Sequence, residues 1–402
     1  MAHAGTVLHT RRMTTAPTAF GTDLRPLFVL EDGSLHLNHG SYGATPRAVL
    51  DAQRAWRDRM EAEPSRFMEF EFRQGLRTAA ARLAPYVGVE PDRLAMVENP
   101  TQAVNAILRS LDLKPGDRIL INDQTYGAVR NTVRFVCSMT GAEIAEWTLP
   151  FPAESPDQAL AAFEAALAAS RPRLAIVDHV TSATALALPV GAMTAAARDA
   201  GALVLIDGAH APGMMALDIP ALDADWYTGT CHKWMFAAKG CAFLWAGDRV
   251  IDRLHPAVIS HGYEGGFLEE FDWVGTRDGS AQHSLPAALD FVDRFGVEAI
   301  RTHNHALAMA AGRRLASAWG TEMGQPESMV GSMVMVRLPD GYGSGFETAR
   351  DLRLRLLSED RIQTRVNPLA GGLYVRVSSQ IYNHIAEFDA LADAVLAKRP
   401  NA

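Results

Sequence analysis

Lys233 stands in the run Trp226-Tyr-Thr-Gly-Thr-Cys-His-Lys-Trp-Met-Phe236, where aromatic and apolar neighbours would desolvate an ammonium. Desolvation lowers a lysine's pKa and frees an amine for Schiff-base chemistry. The plainer reading is a lysine whose stem packs on Trp234 while its head reaches water, and the segment alone leaves the two balanced. Asp207 follows directly on Ala202-Leu-Val-Leu-Ile206. A carboxylate there is costly to bury unless a cation or hydrogen-bond donors meet it, although capping of a helix would explain the same residue. A reactive lysine with an acid able to keep a pyridine nitrogen protonated is the pair that pyridoxal phosphate (PLP) chemistry uses. Thr101 and Gln102 open a helical pattern after a strand, so their N–H groups and side chains could cradle a phosphate; N-capping by Asn99 or Thr101 accounts for them without a ligand.

These residues need a scaffold that gathers them. The apolar runs Leu94-Ala-Met-Val-Glu98, Arg118-Ile-Leu-Ile-Asn122, Leu174-Ala-Ile-Val-Asp178, Ala202–Ile206 and Gly240-Cys-Ala-Phe-Leu-Trp245 alternate with Ala-rich, helix-period segments. That alternation predicts an α/β fold with a mainly parallel sheet covered on both faces. Thr101–Leu111 places Val104, Ile107, Leu108 and Leu111 on one helical stripe, and Asp157–Ser170 is a second helix behind Pro156. Ligands of such sheets lie at the carboxyl ends of the strands. There fall Glu98–Gln102, Asp123–Tyr126, Asp178–Ser182, Asp207–His210 and Thr228–Lys233.

After about residue 300 the pattern changes to a helix Ile300–Trp319, a strand Ser332–Arg337, a helix Phe346–Glu359 and strands Ile362–Val366 and Leu373–Ser378, with Asn367–Gly372 as the turn between the last two. The expected organisation is a loose tail over 1–20, an N-terminal segment 21–45 serving the active site and the small domain, a large PLP-binding α/β domain over 46–299, and a small α+β C-terminal domain over 300–402.

The 402 residues carry 38 Lys+Arg against 46 Asp+Glu, a net charge of -8, which gives no electrostatic footprint for nucleic acid or an anionic membrane. A small-molecule partner is expected. Cys137, Cys231 and Cys241 are too few for a disulfide framework or a zinc module. Arg11 and Arg12 are followed by no apolar signal region, and no run of 18 apolar residues occurs, so a cytoplasmic location is the expectation.

Asp207-Gly-Ala-His210, Thr230-Cys-His-Lys233, Gly275-Thr276 and Tyr374-Val-Arg-Val-Ser378 resemble, in order and spacing, fold-type I PLP enzymes of the class V aminotransferase and cysteine desulfurase group. Leu37-Asn-His-Gly-Ser-Tyr-Gly-Ala44, Glu63-Pro-Ser-Arg-Phe67, Asn99-Pro-Thr-Gln102, Tyr126-Gly-Ala128 and His179-Val-Thr-Ser-Ala-Thr184 are most similar to its isopenicillin N epimerase-like branch. The resemblance spans about residues 30 to 390. It implies a large domain with a seven-stranded sheet plus a small domain, with Lys233 as Schiff-base lysine and proton shuttle. Asp207 would lie on the pyridine nitrogen and Tyr126 stack on the cofactor, while His210 with Thr181 or Ser182 would approach its phenolic oxygen. Thr101, Gln102 and Thr230 would hold the phosphate, joined by Thr276 from a second subunit, which implies a homodimer. Arg376 would bind the substrate carboxylate, with Asn38 and His39 near it; without the resemblance Arg376 reads as an exposed residue on an edge strand. His232 is a candidate for proton relay or a ring with no catalytic duty.

PLP labilises any bond to Cα, so the cofactor does not name the reaction. A persulfide-forming desulfurase needs a cysteine on a small-domain loop, and none follows Cys241. Epimerisation, which needs a second proton donor (Tyr126, His232, His39 or water), a carbon–sulfur β-lyase reaction on a cysteine conjugate or sulfoxide, and transamination remain open. A non-catalytic PLP-fold binding or regulatory protein is the contrasting class, opposed by the joint presence of Lys233, Asp207 and Arg376. Cys231, Met214 and Met215 read as packing. His303 and His305 are too poorly spaced for a metal pair, Gly341–Gly345 reads as a flexible turn, and Glu69, Glu71, Glu269 and Glu270 as solvated faces.

Overall fold

The computed structural model describes residues 20–399. Arg11 and Arg12 lie outside that range. Phe20, assigned above to the loose tail, packs against Phe295 and His303.

Seven strands form the main sheet: β2 (Leu94–Val97), β3 (Arg118–Asn122), β4 (Glu143–Trp147), β5 (Leu174–Asp178), β6 (Leu203–Gly208), β7 (Trp226–Thr230) and β8 (Ala242–Ala246). Their order is β2-β8-β7-β6-β5-β3-β4, and β8 alone runs against its neighbours. Two of these strands, β4 and β7, were not named from the sequence as apolar runs. β4 is an edge strand with charged, exposed positions, and β7 is interrupted by Thr228 and Gly229. Alternation across the pleat sends Ala175, Val177, Val204 and Ile206 into one core, and Leu174, Ile176 and Leu205 into the core on the opposite face. Helices cover both faces, which is why the central strands are apolar throughout.

The small-domain sheet joins β9 (Met333–Arg337), β11 (Arg365–Leu369) and β12 (Gly372–Ser378) in the order β11-β12-β9. Its apolar face packs on the helices Val297–Trp319, Phe346–Glu359 and Ile385–Ala397. Leu37 enters this core, and the adjacent β1 (Leu35–His36) pairs in parallel with β10 (Ile362–Gln363), so the N-terminal segment is held by the C-terminal one.

The predicted strand Ile362–Val366 divides at Thr364, whose hydroxyl donates to the Arg376 carbonyl at 3.1 Å. The predicted turn Asn367–Gly372 is tighter than expected. Asn367, Pro368 and Leu369 belong to β11, and Ala370 and Gly371, both at positive φ (46° and 73°), make the reversal. Pro368 is tolerated because β11 is an edge. Glu270, expected on a solvated face, is buried and accepts from His255 Nδ1 at 2.8 Å. No helix among the described residues is long and apolar enough to cross a membrane, and no group of side chains among them could hold a metal ion.

Candidate active site

A cleft of about 540 Å³ opens at the carboxyl ends of the main-sheet strands, and the small domain and the Gly40–Tyr42 turn supply its opposite wall. The floor follows from strand register. Asp178 ends β5 directly opposite Asp207 on β6, and β7 ends at Thr230, three residues before Lys233. Lys233 is partly buried on the floor of the cleft, and its Nζ lies 3.3 Å from His210 Nε2. Burial brings its pKa down to about 8, with Asp207 opposing that shift and Arg376 adding to it. An amine with this pKa is partly free base at neutral pH.

Asp207 accepts the Ala209 N–H at 3.0 Å, and burial raises its pKa against that bond and the attraction of Lys233. Beside it, burial and then the charge of Asp207 push Asp178 up to about 7, although Asn122 Nδ2 donates to it at 2.7 Å. Two adjacent buried carboxyls with so little neutralisation call for a cation, which a protonated pyridine nitrogen would supply. His210 and Thr230 line the cleft, and each has a buried polar atom, Nδ1 and Oγ1, without a partner among the described residues. Burial keeps His210 neutral, with its pKa well below the ordinary value. Buried polar atoms are ordinarily paired, so these residues fit a polar ring and phosphate between them. Thr101 lines the same cleft at the start of the helix Pro100–Ser110.

The outer wall is built differently. Arg376 occupies the central strand of its sheet and is 2% exposed, so the exposed edge-strand reading does not hold. Its guanidinium donates to the Ser182 carbonyl, to Asn38 Oδ1 at 3.1 Å and to Ser41 Oγ at 2.8 Å, while its Nε has no partner among the described residues. Burial lowers its pKa to about 10, so it remains a cation at neutral pH. Ser182 thus meets Arg376 through its carbonyl. Gly43 lets the Gly40–Tyr42 turn approach the floor: it sits at φ +69°, and a Cβ there would come within 2.2 Å of the His232 carbonyl oxygen.

Tyr126 and His232 line the cleft as expected, Tyr126 half-exposed and His232 with Nδ1 on the Cys241 carbonyl at 2.9 Å. Burial lowers the His232 pKa to about 4. Five of the expected residues are absent from the lining, among them Asn38, which meets the cleft only through its bond to Arg376. Gln102 turns its side chain back to accept the Glu98 N–H. Thr181 spends its hydroxyl on Thr184 and on the Leu186 N–H. His39 lies behind the floor, bonded to the Lys233 carbonyl at 2.9 Å and to the Tyr382 hydroxyl at 2.8 Å. Thr276 belongs to a loop outside its own cleft. Gln124 and Asp178, which fall in the strand-end segments named above but were assigned no role, also line the cleft, as do Arg365 and Asn367, which no sequence signal singled out.

A lysine and a buried acid at the strand ends of the main sheet, faced by a buried arginine from the small-domain sheet, fit a PLP-dependent enzyme of fold type I. The match to Aminotransferase class-V covers residues 41–391. The chain belongs to the class-V aminotransferase family. It is 35% identical to "Putative L-cysteine desulfhydrase 2" of Oryza sativa subsp. japonica, over 93% of this chain and 86% of that protein. It is 33% identical to the isopenicillin N epimerase of Streptomyces clavuligerus, over 93% and 97%. Among solved structures, the cystine C–S lyase in complex with its reaction product cysteine persulfide superposes with a TM-score of 0.77 at 22% identity, covering 91% of this chain and 98% of that one. The cysteine desulfurase of Thermococcus onnurineus gives 0.76 at 16% identity, over 96% and 99%. Both show the shared fold.

Proposed function

We propose that this enzyme is a carbon–sulfur β-lyase that converts L-cysteine or an S-substituted cysteine, with one water, into pyruvate, ammonia and, respectively, hydrogen sulfide or the free thiol. The observation that carries the reading is that Lys233 is the one amine lining the cleft, with no second amine or charged histidine beside it among the described residues. Lys233 has a pKa near 8, whereas burial holds His210 and His232 neutral and His39 is turned away. β-Elimination needs one base at Cα and an acid for the departing sulfur; epimerisation needs proton delivery to both faces of Cα. When bound, PLP supplies the sink for the electron pair left at Cα. Asp207 keeps the ring nitrogen protonated, Arg376 holds the α-carboxylate, and Lys233 removes the Cα proton. Tyr126 stands at the mouth as donor to the leaving sulfur. The three cysteines are buried, with their thiols unpaired, which argues against a persulfide-forming nucleophile and accords with a reducing, cytoplasmic setting.

Epimerisation is the second reading, favoured by the isopenicillin N epimerase relatives and by Tyr126, which would then be the second proton donor. The assembly belongs to the same proposal: a homodimer in which Thr276 of each subunit reaches the other's phosphate. Proton NMR in heavy water of the PLP-loaded protein with L-cysteine and S-substituted cysteines tests the reaction. Pyruvate and thiol in equal amounts are expected, and Lys233→Ala should lower turnover by at least about 10³-fold. Accumulation of the D-enantiomer without pyruvate would transfer the assignment to the epimerase, and lysine-independent turnover would remove Lys233 from the mechanism.

A further inference from the structure

The outer wall carries a second guanidinium that the reaction above does not use. Arg365 and Arg376 are direct partners across the β11–β12 ladder, so their side chains leave on the same face, and both line the cleft. Like charges placed opposite one another on a ladder are destabilising, and Arg365 depresses the pKa of Arg376 through its charge. Among the described residues, every hydrogen-bond acceptor of the pair is nevertheless neutral. Arg365 Nε donates to Asn367 Oδ1 at 3.0 Å, and Arg376 donates to Ser182, Asn38 and Ser41. Other arginines of the same domain are matched with acids: Arg361 with Glu31 at 3.1 Å and Arg337 with Asp340 at 2.8 Å. An unmatched pair facing one cavity, in a chain of net charge -8, is a local arrangement with a local cause.

The two guanidiniums differ in depth. Arg376 is buried next to Ser182, while Arg365 is exposed at the mouth. One α-carboxylate on Arg376 leaves Arg365 unmatched. We propose that Arg365 binds a second carboxylate, carried on the side chain or sulfur substituent of the substrate, so that the enzyme acts on dicarboxylic amino acids in preference to neutral ones. The assignment rests on the reading of the cleft as an amino-acid β-lyase site. Asn367 holds the Arg365 side chain toward the cleft and completes a polar rim that suits an anion.

The test compares S-carboxymethyl-L-cysteine with S-carbamoylmethyl-L-cysteine, which match in size and differ in charge. The wild type should favour the carboxylate in kcat/KM by roughly 10- to 100-fold, the worth of one charge-assisted contact. Arg365→Gln should bring that ratio close to one, Arg365→Lys should retain part of it, and Arg376→Gln should weaken both substrates alike. No preference in the wild type would overturn the proposal. So would equal weakening of both substrates by Arg365→Gln, because the residue would then share the α-carboxylate. Calorimetry of the PLP-loaded protein with glutarate and with its monoamide reads the same subsite without turnover. A preference there that disappears in Arg365→Gln, with no carbon–sulfur cleavage of any substrate, would defeat the lyase and keep the subsite.

Discussion

The floor of the cleft and its outer wall are held in place by different means. The floor hangs from parallel strands whose ladder fixes Asp178 opposite Asp207 and Thr228 beside them, with a packed core on each face of the sheet. The wall joins residues more than 300 positions apart, Asn38 and Ser41 with Arg376, through side-chain hydrogen bonds. A site on regular elements keeps its charges fixed while bonds change, which is what electrostatic stabilisation requires. Side-chain contacts between distant segments can be altered without disturbing the sheet. The floor is thereby suited to the chemistry common to the family, and the wall to the choice of substrate.

This division predicts two contrasting kinetic signatures. Asp207→Asn should lower kcat by roughly 10²- to 10³-fold, the cost of losing one preorganised electrostatic contact, and by a similar factor across a panel of amino acids. A loss confined to one substrate would place Asp207 with the selecting residues and break the distinction. Arg376→Gln should have the smaller effect, raising KM by roughly 10- to 100-fold with little change in kcat or in the visible absorbance of the bound cofactor. If kcat falls while KM stays constant, the wall takes part in the chemistry and the division fails.

The same contrast explains what could be read from the sequence. Asp207, His210, Thr230 and Lys233 follow apolar strands, and a strand's end is visible in the letters. Arg376 needed the family resemblance, because a lone arginine in a strand carries no sign that Asn38 and Ser41 come to meet it. Arg365 was invisible for a physical reason: its significance lies in the cross-strand partner, and register was unknown until the two-residue reversal at Ala370–Gly371 fixed it. Gln102 and Thr181 carried suitable hydroxyl or amide groups, but local backbone N–H groups claimed them.

His39 is where wall and floor meet, and it gives the smallest and most specific prediction. A carbonyl can only accept, so Nε2–H donates to the Lys233 carbonyl, and Nδ1 accepts from the Tyr382 hydroxyl and the Ala44 N–H. Burial, with a smaller contribution from His36, lowers its pKa to about 3, so the folded protein holds this ring neutral while the unfolded chain protonates it near 6.5. Between those values the unfolded state binds the extra proton, and stability therefore falls as pH decreases from about 6.5 toward 3. The slope assignable to His39 is about 1.4 kcal/mol per pH unit. His36, His179 and His232, lowered to about 4 by burial, act in the same direction, but they are common to wild type and variant and cancel in the comparison. His39→Gln should cost about 1–3 kcal/mol at pH 7 through imperfectly replaced hydrogen bonds, and that deficit should shrink as pH falls. Denaturant midpoints of both proteins between pH 7 and 4 measure it. Parallel curves would mean that His39 is not held as a neutral tether, and that the wall is fixed to the lysine segment by Gly43 packing alone.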